Sequence, residues 1–160
     1  MPVVPVPRAV ALPAASFAEL YRDTHADMVR LAYLLTGSAE VAQDVVQDAF
    51  VSVHRAWARV VEPRSYIRRA VVNACTSHHR RVFRERRAAA LREPVAVDLG
   101  ADELFDVLAE LPARQRVAVV LRYWHGLDER EIASALGCRP GTVGSLLHRA
   151  LARLREVIER

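Results

Sequence analysis

Residues 127–155 read LDEREIASALGCRPGTVGSLLHRALARLR. Within them Ser145, His148 and Arg149 stand three and four positions apart, so a helix would carry all three on one side. Hydroxyl, imidazole and guanidinium groups together can read base edges, and a guanidinium forks onto guanine O6 and N7. Arg139, Thr142 and Arg153 are placed for phosphates, which position a protein without specifying sequence. A second set comes earlier. Arg69, Asn73, Thr76, Ser77 and Arg80 recur at helical spacing and continue into Arg81, Arg84, Arg86 and Arg87, offering charge, amide and hydroxyl groups on one side. A third set is acidic. Glu40, Gln43, Asp44, Gln47 and Asp48 give one helix an acid–amide side, which is either a solvated face or a docking face for a basic partner.

These groups suit binding better than catalysis. No P-loop, Ser–His–Asp arrangement or paired-carboxylate site is present, so an enzyme is not expected. His78 and His79 adjoin the Arg series without further ligands at metal spacing. They are read as phosphate or solvent contacts, and neither a metal nor a cofactor is expected. Cys75 and Cys138 are isolated, which gives no disulfide or zinc pattern and makes a reducing cytoplasm the expected compartment. Cys75 reads as a small apolar filler, and Tyr123 and Trp124 as core residues. No uninterrupted apolar run is long enough to span a membrane, so no insertion is expected. Residues 1–15 contain four prolines and one Arg, lack a signal-peptide pattern, and read as a disordered arm.

The elements that must carry these groups are helices. Ser16 can cap a first helix, with Phe17, Leu20, Tyr21, Thr24, Met28, Leu31 and Leu35 at helical spacing and Gly37 as its stop. Ser38 caps a second to about Trp57, with Val41, Val45, Ala49 and Val53 as its apolar side. A third follows Pro63 from about Ser65, with Tyr66, Ile67, Ala70, Val71 and Ala74 as its stripe. Leu104, Phe105, Leu108 and Leu111 open the second half, and Pro112 starts a helix ended by Gly126. Asp128 and Glu131 match a capping box, Gly137 a tight turn, and Pro140 the start of a last helix. Its stripe is Val143, Leu146 or Leu147, Ala150, Leu151 and Leu154, the layout of a helix-turn-helix.

Charge divides the chain in blocks. Residues 63–92 carry nine Arg against one acid, 93–113 carry six acids and no Arg, and 114–160 carry nine Arg against five acids. Two basic surfaces are thus separated by an acidic connector. The expected architecture is all-α, with two small helical domains, 16–92 and 102–160, joined by a flexible linker at 93–101. No further domain is expected after Arg160.

With all three blocks in order, the chain strongly resembles the extracytoplasmic-function (ECF) sigma factors of bacterial RNA polymerase, of an actinobacterial type. The segment LPARQRVAVVLRYWHGLDEREIASALGCRPGTVGSLLHRALARLR, residues 111–155, is similar to the promoter-binding C-terminal domain. SAEVAQDVVQDAFVSVHRAW, residues 38–57, resembles the polymerase-binding helix, and SYIRRAVVNACTSHHRR, residues 65–81, the promoter-melting helix. The resemblance implies that Asp44, Gln47, Asp48 and Val51 dock on the β′ clamp helices of polymerase core. It implies that Tyr66, Arg69, Asn73, Ser77, Arg80 and Arg81 engage and melt the −10 element of promoter DNA. Arg139, Thr142, Ser145, His148, Arg149 and Arg153 would then serve the −35 element, with the start of the C-terminal domain resting on the β flap. An anti-sigma factor is a possible further partner. The chain departs from the family pattern at Gly144 and Leu146, where basic residues are frequent, at His54 in place of an aromatic, and at Tyr66 in place of Trp. The alternative reading is a one-component helix-turn-helix regulator whose N-terminal helices sense a ligand or dimerise.

Overall fold

The computed structural model describes residues 16–88 and 103–159. Among them the chain forms α1 (Phe17–Thr36), α2 (Ala39–Ala56), α3 (Pro63–Ala88), α4 (Glu103–Ala109), α5 (Ala113–Tyr123), α6 (Glu129–Leu136) and α7 (Pro140–Ile158). A 3-10 turn at Trp57–Arg59 links α2 to α3, and no described residue is in a strand. The expected disordered arm (1–15) and linker (93–101) lie outside the described residues.

Local chemistry sets most of the boundaries. Ser16 and Glu19 form a reciprocal capping box: the Glu19 amide donates to Ser16 Oγ at 3.2 Å, and the Ser16 amide to Glu19 Oε2 at 2.7 Å. Ser38 Oγ accepts from the Val41 amide at the start of α2. Asp128 and Glu131 form a second box at α6, with bonds of 2.8 and 2.9 Å. Gly37 and Gly137 end α1 and α6 with φ of 75° and 61°, a conformation that costs a side-chain-bearing residue energy.

α1, α2 and α3 pack around Leu31, Leu34, Leu35, Val46, Val53, Ile67 and Val71, all essentially buried. α4 to α7 pack around Leu108, Val117, Leu121, Ile132, Val143 and Ala150. Each of these valines, leucines and isoleucines contributes about 1.5–3 kcal/mol by leaving water, which holds the polar faces in fixed directions. The apolar stripe of α2 is turned from the expected one. Ala42, Val46, Ala49, Phe50 and Val53 are buried, whereas Val41 and Val45 lie at its edge. Valine and alanine occur on several sides of this helix, so periodicity alone does not fix which side is buried.

The two halves touch. α1 packs on α5, and α3 on α6 and α5, so the two sets of buried residues form one continuous apolar cluster. At the seam lies Arg116, only 8% exposed. Its Nε donates to Leu108 O (2.9 Å), Nη1 to Leu35 O (3.1 Å), and Nη2 to Ala109 O (3.1 Å) and Leu111 O (3.3 Å). The C-terminal ends of α1 and α4 thus converge on one guanidinium, where helix dipoles place partial negative charge. Burial lowers its pKa from the ordinary value, but an arginine stays protonated in a protein, and these carbonyls offset the cost of desolvating it.

Two expectations need correction. Tyr123 and Trp124 are not core residues. They are 63% and 49% exposed, because α5 ends there and turns both rings outward, and Arg30 stacks over Trp124 at 5.2 Å. His79 is not a phosphate or solvent contact. It is partly buried, and its Nε2–H donates to Leu35 O at 2.6 Å, so that carbonyl receives both His79 and Arg116.

Candidate nucleic-acid interface

α3 presents the polar series of its sequence to solvent. Arg69, Asn73, Ser77, Arg80 and Arg81 are exposed, while Ile67, Val71, Val72 and Cys75 on the opposite side are buried. Tyr66 is half-buried, with the Arg69 guanidinium 5.8 Å from its ring centroid. An aromatic face, an adjacent cation and an amide therefore line one shallow groove, shared with Asp48 and Ser52 of α2. A base can stack on such a ring while its phosphate meets the cation. Further along, Ser77 and Arg81 share a second groove with Asp44 and Asp48. The basic face of α3 and the acidic face of α2, separate in the sequence, meet along one edge.

The four candidate docking residues of α2 are all exposed but divide between two sides. Asp44 and Asp48 lean toward α3. Gln47 and Val51 line a groove with Phe17, Tyr21 and His25 of α1. Sequence reasoning missed this aromatic group. The Phe17 ring stands edge-on to His54 at 4.8 Å and to Trp57 at 5.6 Å, and Tyr21 packs on Phe50 at 4.8 Å. Recurrence of aromatics at 17, 21, 50, 54 and 57 is the signal that was available, once α1 and α2 are taken as antiparallel neighbours.

α6, the turn at Gly137 and α7 form the expected helix-turn-helix. Val143, Leu146, Leu147 and Ala150 are buried, which resolves the choice between Leu146 and Leu147 in favour of both. Arg139, Thr142, Ser145, His148, Arg149 and Arg153 are all exposed. Ser145 Oγ donates to Gly141 O at 3.3 Å, and Arg149 Nε to Ser145 O at 3.2 Å. The Arg149 stem is thus held along the helix, with its two Nη groups at the outer end of the fork. The missing side chain at 144 has a neighbour: a Cβ there would lie 3.7 Å from a Glu129 carboxylate oxygen, so this flank of the recognition helix is acidic.

Little here is built for covalent chemistry. Burial pushes the Cys75 thiol up to about 12, which keeps it protonated and inert. His78 titrates below its ordinary range because of partial burial and the nearby His79 and Arg81, with Glu85 opposing. Among the described residues no group of His, Cys, Asp and Glu is clustered for a metal, and no helix is long and apolar enough to cross a membrane.

Residues 20–85 match the family model for sigma-70 region 2, and residues 101–154 that for sigma-70 region 4. The chain is 36% identical over 152 residues to an RNA polymerase sigma-E factor of Streptomyces avermitilis, covering 89% of this chain and 85% of that one. It is 35% identical over 152 residues to the ECF RNA polymerase sigma factor SigM of Mycobacterium tuberculosis, covering 89% and 77%. Among solved structures, RpoE of Bartonella quintana in complex with the anti-sigma factor NepR shares the fold, with a TM-score of 0.75 at 24% identity over 89% of this chain and 96% of that one. CnrH in complex with the cytosolic domain of CnrY gives 0.68 at 26% identity over 91% and 92%.

A region 2 module followed by a region 4 module defines a sigma factor. The chain belongs to the sigma-70 family, in its ECF group.

Proposed function

We propose that this sigma factor divides its work between two modules, 16–92 and 102–160, joined by the acidic linker at 93–101. In the first, Asp44, Gln47, Asp48 and Val51 dock on the β′ clamp helices of polymerase core. The neighbouring face of α3 holds the opened −10 strand: Tyr66 stacks a base, Arg69, Arg80 and Arg81 bind its backbone, and Asn73 and Ser77 reach base edges. Extruding a base costs a few kcal/mol, and one stacking contact returns about 1–3 kcal/mol. Several of these residues must therefore act together to keep the duplex open.

In the second module Ser145, His148 and Arg149 read the −35 element in the major groove. Arg139, Thr142 and Arg153 hold flanking phosphates, and the start of the domain rests on the β flap. Two modest DNA contacts on one tether reinforce each other through effective concentration. The relatives RpoE and CnrH were solved with an anti-sigma factor and a cytosolic partner domain, which supports an inhibitor of this kind for the present chain. The protein works in the cytoplasm by binding alone, with no reaction or cofactor of its own.

The observation that carries this reading is the exposure of both polar faces, on α3 and α7, within modules that match region 2 and region 4 in that order. Replacing Asp44 and Gln47 with Ala tests it. Binding to immobilised polymerase core should be lost while the far-ultraviolet circular dichroism is unchanged. Undiminished core binding would remove α2 as the docking face.

A further inference from the structure

The exposed side of α7 is bordered by a position without a side chain. Gly144 precedes Ser145, and His148 lies one turn further on the same side. Glycine inside a helix is unfavourable relative to alanine, and it suits places where another molecule comes close to the backbone. Packing within the chain does not demand it here. A Cβ at 144 would meet only the carboxylate oxygens of Glu129, at 3.7 and 3.8 Å, and its carboxyl carbon at 4.0 Å, all ordinary contacts. The first helix of the motif therefore sends a carboxylate across the turn to the rim of the recognition face. Its neighbours in sequence are otherwise engaged: Asp128 and Glu131 cap α6 through bonds of 2.8 and 2.9 Å. Glu129 is exposed, and its carboxylate has no hydrogen bond or ion pair among the described residues. The helix dipole accounts for an acid in this turn, but not for its reach toward α7.

We propose that Glu129 is a specificity-determining residue of the −35 contact: with α7 in the major groove, its carboxylate accepts from the N4 amino group of a cytosine at the edge of the element. The proposal rests on the reading of α6 and α7 as the −35 module, and it adds a base contact from the first helix of the motif. Donors and acceptors decide the base. A carboxylate has no proton to give, so it pairs only with an edge that donates. In the major groove guanine offers two acceptors, and thymine an acceptor and a methyl group, so both reject it. Adenine donates from N6 but sets the N7 acceptor beside it, whereas cytosine donates from N4 alone. A carboxylate at the duplex also faces phosphates, which weakens binding to every sequence. Only a correctly placed amino group offsets that repulsion. Glu129 thus acts against three bases as much as in favour of one. Arg139, Thr142 and Arg153, as phosphate contacts, favour all sequences alike.

The test uses the full chain assembled with polymerase core. A duplex promoter fragment that this holoenzyme transcribes is randomised over its −35 region, sorted by binding and sequenced. Wild type should enrich cytosine about tenfold at one position. Glu129→Ala should flatten that position alone and raise affinity for the other sequences. Glu129→Gln should move the preference to adenine, whose N6 and N7 match an amide. Gly144→Lys sets an ammonium against the carboxylate and should flatten the same position with Glu129 intact. Should either change at 129 lose helix by circular dichroism, Gly144→Lys decides by the same readout. An equal rise in affinity at every base in Glu129→Ala would mean that the carboxylate only repels phosphates, and would overturn the proposal. Base preferences identical to those of wild type in all three variants would overturn it as well. In both cases the −35 reading of α7 stands, because the remaining positions are still selected. If holoenzyme of every form, wild type included, selects no sequence over the −35 region, that reading falls and the proposal with it.

Discussion

Arg116 Nη1 donates to the carbonyl of Leu35 at 3.1 Å, across 81 residues of sequence and from one half of the chain to the other. The bond ties the end of α1 to the start of the C-terminal module. Arg116→Met should leave the Ala109 and Leu111 carbonyls without this donor, while Leu35 O keeps His79 and Leu108 O keeps the Leu111 amide, and it should destabilise the protein by about 1–3 kcal/mol for each buried carbonyl left unpaired. Arg116→Lys should recover only a small part, because one ammonium cannot reproduce the fork. Urea denaturation followed by circular dichroism measures both.

Gly37 is held by two requirements, a φ of 75° and the ring of Phe105 lying where its Cβ would be. Gly37→Ala should cost about 1–3 kcal/mol from the backbone conformation, with the steric clash adding to it. In the Phe105→Ala background the clash is absent and only the backbone cost should remain. A double-mutant cycle by thermal unfolding should therefore give a coupling of at least about 0.5 kcal/mol. Simple additivity would mean that the ring does not sit against Gly37.

Arg149 and Arg153 are both exposed on α7, and the proposed function gives them different tasks. Arg149→Ala should relax preference at a single base pair of the −35 element, by about 1–3 kcal/mol. Arg153→Ala should weaken binding evenly across sequences and reduce the salt slope by about one ion. Competition titrations with holoenzyme over a panel of promoter substitutions, repeated at several salt concentrations, separate the two.

His125 gives a pH dependence. Burial lowers its pKa below the ordinary 6.5, Asp27 partly opposes this, and Arg68 reinforces it. The folded chain therefore favours the neutral imidazole. Its contribution is fully present above about pH 6.5 and is lost as the pH falls below that value, when the unfolded state takes up a proton the folded state resists. Unfolding free energies measured between pH 7.5 and 5.5 should fall more steeply for the wild type than for His125→Asn.

Much of this fold could be read from local chemistry. Ser16 with Glu19, Asp128 with Glu131, and the glycines at 37 and 137 are short-range signals, and each marks the boundary that it predicts. The exposed faces of α3 and α7 were likewise legible, because a polar series at helical spacing opposite an apolar stripe has one placement. The seam between the halves was not legible. An arginine amid a basic segment carries no local sign that it will be buried against carbonyls 81 residues away. Trp124 reads as core by its size, yet α5 stops at that point and leaves it outside, under Arg30. His79 was hidden by the arginines beside it, since its partner is the end of α1 and not a neighbour in sequence.

Run-off transcription with purified polymerase core and genomic promoter fragments addresses the central claim directly. Adding this chain should produce discrete transcripts that core alone does not make, and Arg69→Ala with Asn73→Ala should reduce them on a closed duplex while sparing a template pre-opened at the −10 element. If core makes the same products with and without the chain, or if the double variant initiates as well as the wild type on closed duplex, the assignment of strand opening to α3 is contradicted.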